Sequence, residues 1–264
     1  MKHFRPRLSR RAFWVLCALL VCLRLALTGF QQAYIWVGGA PLDDELMFRA
    51  ANHITAGQWL GAYDYLTLSK AMFFPVWLAL LHALHLPYLI SGAALWCGAA
   101  LLAAFAFSTL WRKKDTAQGR VLTLGLFAVL AFLPSSWAAY TLRIYRDNIF
   151  PALCLYFFAG VAGMALRAVL TPEKPLWPWL AAAGAGLACG YLDREDAGLF
   201  LLPFAAAATV IVAVVLAGKR RWKALAAQVI PYVMLGVGVL TFCTLNYTHY
   251  GVFALSLIHI SEPT

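Results

Sequence analysis

The chain has 264 residues, of which 63% are hydrophobic and only 12% are charged. A soluble domain of this length would be about half apolar and about one quarter charged, so the composition excludes an ordinary soluble protein. The net charge of +10 does not indicate nucleic-acid binding, because the basic residues form short clusters between apolar runs, as in membrane proteins.

Long uncharged runs recur along the chain and predict an all-α, polytopic transmembrane helical bundle, because each approaches or exceeds the roughly 18 apolar residues of a membrane span. Seven spans are predicted, at roughly 12–30, 88–110, 120–141, 149–167, 177–192, 197–217 and 224–246. They form one transmembrane domain over residues 1–255. The ending "SLIHISEPT" resembles translated sequencing-adapter DNA, so residues 256–264 are predicted to be a non-native tail of a truncated, longer protein.

The first loop contains "PLDDELMFRAANHITAG", whose residues 43–57 predict an amphipathic helix lying on the membrane surface. Glu45 and Arg49 are spaced for an i,i+4 ion pair. Asp43 and Asp44 fall at the helix N-terminus, where an acid stabilises a helix by about 0.3–1 kcal/mol. One acid would suffice for that role, and three in a row exceed it.

The segment at 71–86, "AMFFPVWLALLHALHL", decides the topology. If it spans the membrane, the later basic loops face outward, against the usual orientation. If it is re-entrant, 15 of the 21 basic residues face the cytoplasm with the N-terminus: five at 2–11, four at 112–120, two at 167–174 and four at 219–223. Eight of the eleven acids then lie outside, and we predict this second topology.

Three charged stretches meet on the outer side in this topology: "LDDELMFR", "LRIYRDN" at 142–148 and "YLDREDAG" at 191–198. They are either solvated loop charges or the lining of a polar site, and the second interpretation is favoured by charge at membrane depth. Lys70 either reaches the lipid headgroups or binds an anion. Arg24, within the first span, either reaches outward or lines a cavity, and the sequence does not choose between these.

The acidic pair after the first span, the helix ending "AGQWLG", the proline-containing piece "LSKAMFFPVWLALLHAL" and the turn "YRDNIFP" resemble the GT-C superfamily of integral-membrane glycosyltransferases. They are most similar to its polyprenyl-phosphate-sugar-dependent branch, near aminoarabinose transferases and protein O-mannosyltransferases. The family's His-Pro-Pro-Leu motif is missing.

The resemblance implies a bacterial inner-membrane enzyme that moves a sugar from a polyprenyl-phosphate donor to an extracytoplasmic hydroxyl of an unknown glycan, lipid or protein. By that resemblance Asp43 and Asp44 are the catalytic acids, and Asp44, aided by Asp43, is expected to activate the acceptor hydroxyl. Lys70 binds the lipid phosphate, and members sometimes use a divalent metal ion. Other outer charges are expected to support the site: the acids Glu45, Asp147, Glu195 and Asp196, and the phosphate-binding Arg146 and Arg194. The alternatives are a transporter or flippase for lipid-linked sugars, or an inactive truncated product.

Overall fold

The computed structural model describes residues 8–36, 38–39, 41–111 and 116–256. The basic residues at 2–7 and 112–114, and the predicted tail from 257 onward, lie outside these ranges. The described chain is helical: α1 (Arg10–Gly29), α2 (Pro41–Thr55), α3 (Phe73–Ala83), α4 (Tyr88–Ser108), α5 (Ala117–Ala131), α6 (Ala139–Leu142), α7 (Phe150–Leu170), α8 (Trp177–Asp193), α9 (Gly198–Gly218), α10 (Trp222–Ala226) and α11 (Ile230–Tyr250). Short 3-10 turns occupy Pro134–Trp137, Arg146–Asn148, Glu195–Ala197 and Ala227–Val229.

Five helical stretches in the described ranges are long and apolar enough to cross a membrane: Arg10–Gly29, Tyr88–Ser108, Phe150–Leu170, Glu195–Gly218 and Trp222–Tyr250. A bent pair, Ala117–Ala131 and Pro134–Leu142, makes a sixth if it is one span. The prediction of an all-α membrane bundle is confirmed, whereas a count of seven is finer than these helices support.

Two predicted spans differ from the helices that form. The stretch predicted as continuous over 120–141 breaks after Ala131 and turns by 47°, since Pro134 has no N–H to donate and cannot continue the α-helical ladder. The span predicted at 177–192 forms α8, whose 17 residues stop just short of the usual spanning length.

The centre of the bundle is the close contact between α7 and α8. A side chain at Gly160 would collide with the backbone of Ala183, and one at Gly186 would collide with the backbone of Phe157. Glycine at these positions lets the two helix backbones approach closely, as small residues do between membrane helices. This contact places the start of α7 beside the end of α8, where Arg146 contacts Asp193 and Glu195.

Contacts between loops show which loops lie together at each end of the helical bundle. At one end, Arg120 Nε donates to the Leu8 carbonyl at 2.8 Å, and Lys219 Nζ donates to the carbonyls of Ala168 and Val169 at 2.9 and 2.8 Å. At the other end, the turn before α7 contacts the loop after α1, the start of α2 and the turn after α8. Basic loops and acidic turns therefore occupy opposite ends of the helices.

The helix predicted on the membrane surface forms as α2, but its apolar face packs on protein. Met47 is fully buried against Phe74 and Tyr145, and Leu46 is buried beside Leu68. The segment that follows α2 folds back over the bundle and covers that face, which corrects the predicted membrane contact.

The predicted i,i+4 pair on α2 is also not formed. Arg49 pairs instead with Asp64 at 2.6 Å. Asp64 is held by its own loop, since its Oδ1 accepts hydrogen bonds from the backbone N–H groups of Leu66 and Thr67. A fixed acceptor on the loop therefore takes Arg49 in place of the neighbouring Glu45.

The short helix α3 has both of its flanks beside the same turn. Lys70 Nζ, before α3, lies 3.3 Å from the Tyr145 hydroxyl, and the Tyr88 hydroxyl, after α3, donates to the Arg143 carbonyl at 2.7 Å. The 11 residues of α3 are too few to cross a bilayer. The chain thus enters and leaves this segment at one end of the bundle.

Candidate functional site

The site begins with a backbone pairing that brings distant segments together. Tyr34 N–H donates to the Leu142 carbonyl at 3.1 Å, and Ile144 N–H donates to the Tyr34 carbonyl at 2.9 Å. This isolated bridge fixes the loop after α1 against the turn before α7. It places Trp36 and Arg143 at the N-terminus of α2, where Asp43 and Asp44 lie in the first turn.

Asp44 is buried in an ion pair with Arg143, and these residues are only 2% and 6% exposed. Arg143 Nε donates to Asp44 Oδ1 at 3.0 Å, and its Nη2 donates to the same oxygen. The backbone N–H of Trp36 donates to Asp44 Oδ2 at 2.7 Å. Burial acts to lower the pKa of Arg143, but the carboxylate of Asp44 overcomes this and raises it. Asp44 therefore ties α2 to two other segments.

Asp43 points the other way, toward Lys70 and solvent. Lys70 Nζ lies 2.7 Å from Asp43 Oδ1, and the two side chains keep 23% and 36% of their surface exposed. The Tyr145 hydroxyl lies 3.4 Å from Asp43 Oδ2 and donates to it. Asp43 is thus the accessible carboxylate of the adjacent pair.

Tyr145 joins the charged groups into one network. Its hydroxyl accepts hydrogen bonds from Lys70 Nζ at 3.3 Å and from Arg146 Nη2 at 2.9 Å, while donating to Asp43. A phenol has one proton to donate and two lone pairs that accept, so this hydroxyl is fully used. The Arg143 guanidinium stacks on the Tyr145 ring, 4.3 Å from its centre.

Arg146 connects this network to the turn after α8. Its Nη1 donates to Glu195 Oε2 at 2.8 Å and to the Asp193 carbonyl at 3.1 Å. The other Glu195 oxygen accepts the Ala71 N–H, next to Lys70. Burial acts to lower the pKa of Arg146, but Tyr145 and Glu195 outweigh it and raise that pKa. Arg146 stays cationic although it is 6% exposed.

The other predicted residues lie around this network. Arg194 Nη1 donates to Asp147 Oδ1 at 3.2 Å and its Nε donates to Asp196 Oδ1 at 3.2 Å, which makes a separate charged group. Glu45 is exposed and makes no ion pair with a residue in the described part of the chain. The structure therefore gathers Asp43, Lys70, Arg146 and Glu195.

Sequence reasoning did not assign three residues of the site: Arg143, Tyr145 and Asp193. Arg143 and Tyr145 lie in the quoted stretch "LRIYRDN", where the alternation of Arg143, Tyr145 and Arg146 was the available signal. Asp193 is 0% exposed, and neither of its carboxylate oxygens has a hydrogen-bond partner in the described ranges. Nothing local in the sequence distinguishes it from the exposed acids nearby.

An apolar cavity of about 250 Å³ lies next to the charged network, among α3, α4, α7 and α8. Its lining includes Phe73, Trp77, Leu95, Ile149, Leu153 and Cys189. Phe73 follows Lys70 by three residues and Ile149 follows Arg146 by three, so the cavity begins close to the two cations. The arrangement offers a charged head region beside a space for hydrocarbon.

The carboxylates do not fit the divalent metal ion that the resemblance implies. Within the described residues no group of three or more His, Cys, Asp and Glu side chains is placed to hold a metal. Asp43, Asp44 and Glu195 each face a basic side chain instead. A hard cation requires several oxygen ligands, and these oxygens already contact cations.

Comparison of the chain with family models, curated proteins and solved structures gives no match. The class of protein that the fold defines is a helical membrane protein with a charged network at one end of its bundle. Membership of the glycosyltransferase superfamily stays a prediction from the quoted motifs.

Proposed function

We propose that this protein is a membrane glycosyltransferase that moves a sugar from a polyprenyl-phosphate donor to an acceptor hydroxyl outside the membrane. The observation that carries the proposal is the half-exposed Asp43–Lys70 pair, with Arg146 beside it, next to an apolar cavity of about 250 Å³. A lipid phosphate needs cations and a hydrocarbon space together, and a hydroxyl needs a carboxylate.

In the proposed topology seven segments span the bacterial inner membrane, including the short α8 and the bent α5–α6 pair, and α3 is re-entrant. The N-terminus and the basic loops face the cytoplasm, following the positive-inside tendency. The separation of basic loops from acidic turns supports this orientation. Asp43 and Lys70 would then face the extracytoplasmic side.

The donor would bind with its phosphate at Lys70 and Arg146 and its first isoprenoid units in the apolar cavity. Each cation already has a carboxylate partner, Asp43 for Lys70 and Glu195 for Arg146. An arriving phosphate would therefore compete for Lys70 and draw it away from Asp43. The exchange leaves the Asp43 carboxylate without its cation, so that it is available as the base for the acceptor hydroxyl. Arg194, between Asp147 and Asp196, would be a further contact for the phosphate.

In the reaction, the acceptor oxygen forms the new bond to the anomeric carbon as its proton passes to Asp43. The bond between that carbon and the phosphate oxygen breaks, and polyprenyl phosphate leaves with the electron pair. Lys70 and Arg146 stabilise the negative charge that develops on the leaving group. The prediction from the quoted motifs makes Asp44 the base, with help from Asp43. The geometry favours Asp43, because both Asp44 oxygens already accept hydrogen bonds and its side chain is 1% exposed.

The test measures donor binding separately from transfer. Binding of polyprenyl phosphate to purified protein is compared between the natural chain, Lys70→Ala and a control, Lys174→Ala, whose exposed lysine lies at the opposite end. Lys70→Ala is expected to weaken binding about tenfold or more, because a charge-assisted hydrogen bond is lost, while the control binds normally. Equal binding by both variants would refute the phosphate site.

Transfer is then assayed with labelled polyprenyl-phosphate sugars and a membrane extract that supplies acceptors. The label is carried by the sugar. The expected result is that the label appears in molecules of the extract and that unlabelled polyprenyl phosphate is released. Donor binding with no transfer to any acceptor, combined with donor movement across vesicles, would favour a transporter or flippase.

A further inference from the structure

Arg24 is a buried charge that the proposed reaction does not use. It lies in α1, is 1% exposed and is among the largest fully buried side chains of the described chain. It precedes Gly29, the last residue of α1, by five positions, which places it about 7.5 Å along the axis from that end. No acid in the described ranges forms an ion pair with it. A buried cation without a counter-charge is costly at membrane depth.

Backbone carbonyls satisfy part of this guanidinium. Nε donates to the Ala131 carbonyl at 3.2 Å and Nη2 donates to the Ser136 carbonyl at 3.0 Å, on either side of the break after α5. Nη1 donates to the Thr28 hydroxyl, and the group stacks on Trp137, 4.4 Å from the ring centre. The carbonyls at a helix C-terminus carry partial negative charge, but they supply no full counter-charge. These bonds use three of the five guanidinium N–H groups.

A small pocket of about 20 Å³ opens beside Arg24, lined also by Thr28, Gln31, Trp96, Ser136 and Asn148. Asn148 Oδ1 is buried against Gly92, which also lines the pocket, and has no hydrogen-bond donor in the described chain, while its Nδ2 donates to the Thr141 carbonyl at 2.7 Å. The pocket thus presents two unmet requirements, an anion for the guanidinium and a donor for the amide oxygen.

We propose that this pocket binds a phosphate group that carries a neighbouring hydroxyl, as in a glycerol phosphate headgroup. One phosphate oxygen meets Arg24, and the hydroxyl donates to Asn148 Oδ1. A volume of about 20 Å³ holds one or two polar groups, so the rest of the headgroup stays outside the pocket. The site is separate from the Lys70–Arg146 region and stands whether or not sugar transfer is confirmed.

Two arms of one experiment distinguish a free, soluble phosphate ester from the headgroup of a membrane lipid as the ligand. In the first, delipidated protein in a neutral detergent is titrated with free glycerol 3-phosphate, with sodium gluconate at equal ionic strength as reference. In the second, nanodiscs of phosphatidylcholine are compared with nanodiscs containing phosphatidylglycerol. The melting temperature and the lipid retained in native mass spectrometry are measured in both arms.

The natural protein is expected to melt about 5 °C higher or more with saturating ligand than with the reference, in at least one arm. Arg24→Gln should remove that gain and lower retained phosphatidylglycerol about tenfold. The matched control is Arg167→Gln, since Arg167 also stacks on a tryptophan, Trp179 at 5.1 Å, and donates to a carbonyl, that of Pro175 at 2.8 Å. Arg24→Lys, which keeps the charge, replaces Arg24→Gln if the latter does not fold, with a reduced gain expected.

Stabilisation in the first arm identifies a free phosphate, and stabilisation only in the second identifies a lipid headgroup. The proposal is overturned if neither ligand stabilises the natural protein, since a single water bridging Arg24 and Asn148 then accounts for the pocket. It is also overturned if Arg167→Gln loses as much bound phosphatidylglycerol as Arg24→Gln.

Discussion

The neighbouring acids Asp43 and Asp44 allow one chemical change to be made in two environments. Replacement of either by asparagine preserves the size of the side chain and removes one negative charge. Asp44 is 2% exposed and pairs with Arg143, whereas Asp43 keeps 36% of its side-chain surface and pairs with Lys70. The two variants should therefore fail in different ways.

The expected losses follow from burial. Asp44→Asn leaves the buried Arg143 guanidinium without its counter-charge, and breaking a buried pair in this way typically costs about 3–5 kcal/mol. Asp43→Asn breaks a half-exposed pair, which contributes only about 0–1 kcal/mol. If Asp43 is the general base, its replacement lowers the transfer rate about 10²–10⁴-fold.

The assay combines thermal melting of the purified variants in detergent with sugar transfer per folded molecule. Asp43→Asn should melt like the natural protein while losing transfer, and Asp44→Asn should melt at a clearly lower temperature. An Asp44→Asn protein that melts normally would contradict the structural role of the Arg143 pair. An Asp43→Asn protein with full transfer per folded molecule would contradict the assignment of the base.

Three further predictions test orientation, packing and pH dependence. In a background without native cysteines, a cysteine at Tyr65 should react with an impermeant outside reagent and one at Lys174 should not; the reverse pattern would invert the topology. Gly160→Ala should lower the melting temperature sharply, because its methyl group meets the backbone of α8, whereas Gly125→Ala, with nothing within 4 Å, should be neutral or stabilising. Burial acts to raise the pKa of Asp64, but hydrogen bonds from Thr67 and Leu66 and the charge of Arg49 lower it below its ordinary value of 3.8. The ionised Asp64 carboxylate therefore stabilises the folded state fully above that value, and this stabilisation is lost as the pH falls through the lower folded pKa. Acid melting curves of Asp64→Asn should lack this loss.

The all-helical membrane fold could be predicted from the sequence because hydrophobic length is a local property. A run such as 88–110 contains nearly all the information that makes it a helix, and α4 forms there over Tyr88–Ser108. The break after α5 is harder to predict from the sequence. It depends on which donors satisfy the carbonyl groups near Pro134 that have no helical N–H partner. Arg24 supplies two of those donors from α1, a contact across more than 100 residues that no local pattern indicates.

The candidate site was predictable in its composition but not in its pairing. The charges of the outer turns, together with the family resemblance, predict Asp43, Lys70, Arg146 and Glu195, and the structure brings these four together. The sequence pattern does not show which of Asp43 and Asp44 is buried, because adjacent residues on a helix point in directions about 100° apart. That rotation places one carboxylate against Arg143 in the interior and the other against Lys70 beside solvent. The bridge at Tyr34, which involves backbone atoms alone, brings Trp36 and Arg143 to the buried acid, Asp44.

The charge balance of the network explains why its cations can be both stable and available. Lys70, Arg143 and Arg146 face Asp43, Asp44 and Glu195 one to one, so the folded chain carries no excess charge at these three pairs. The pairs differ in burial: the Arg143–Asp44 pair is closed to water, whereas the Lys70–Asp43 pair is accessible. Under the proposed function, an incoming phosphate would therefore replace Asp43 beside Lys70 at little cost, but it would displace Asp44 only by stranding a buried carboxylate. The buried pair holds the segments together, and the proposed reaction would use the accessible carboxylate, Asp43, to take the proton. The Tyr145 hydroxyl contacts Lys70, Arg146 and Asp43. Movement of any one of these three side chains would therefore change the hydrogen bonds of the other two through Tyr145.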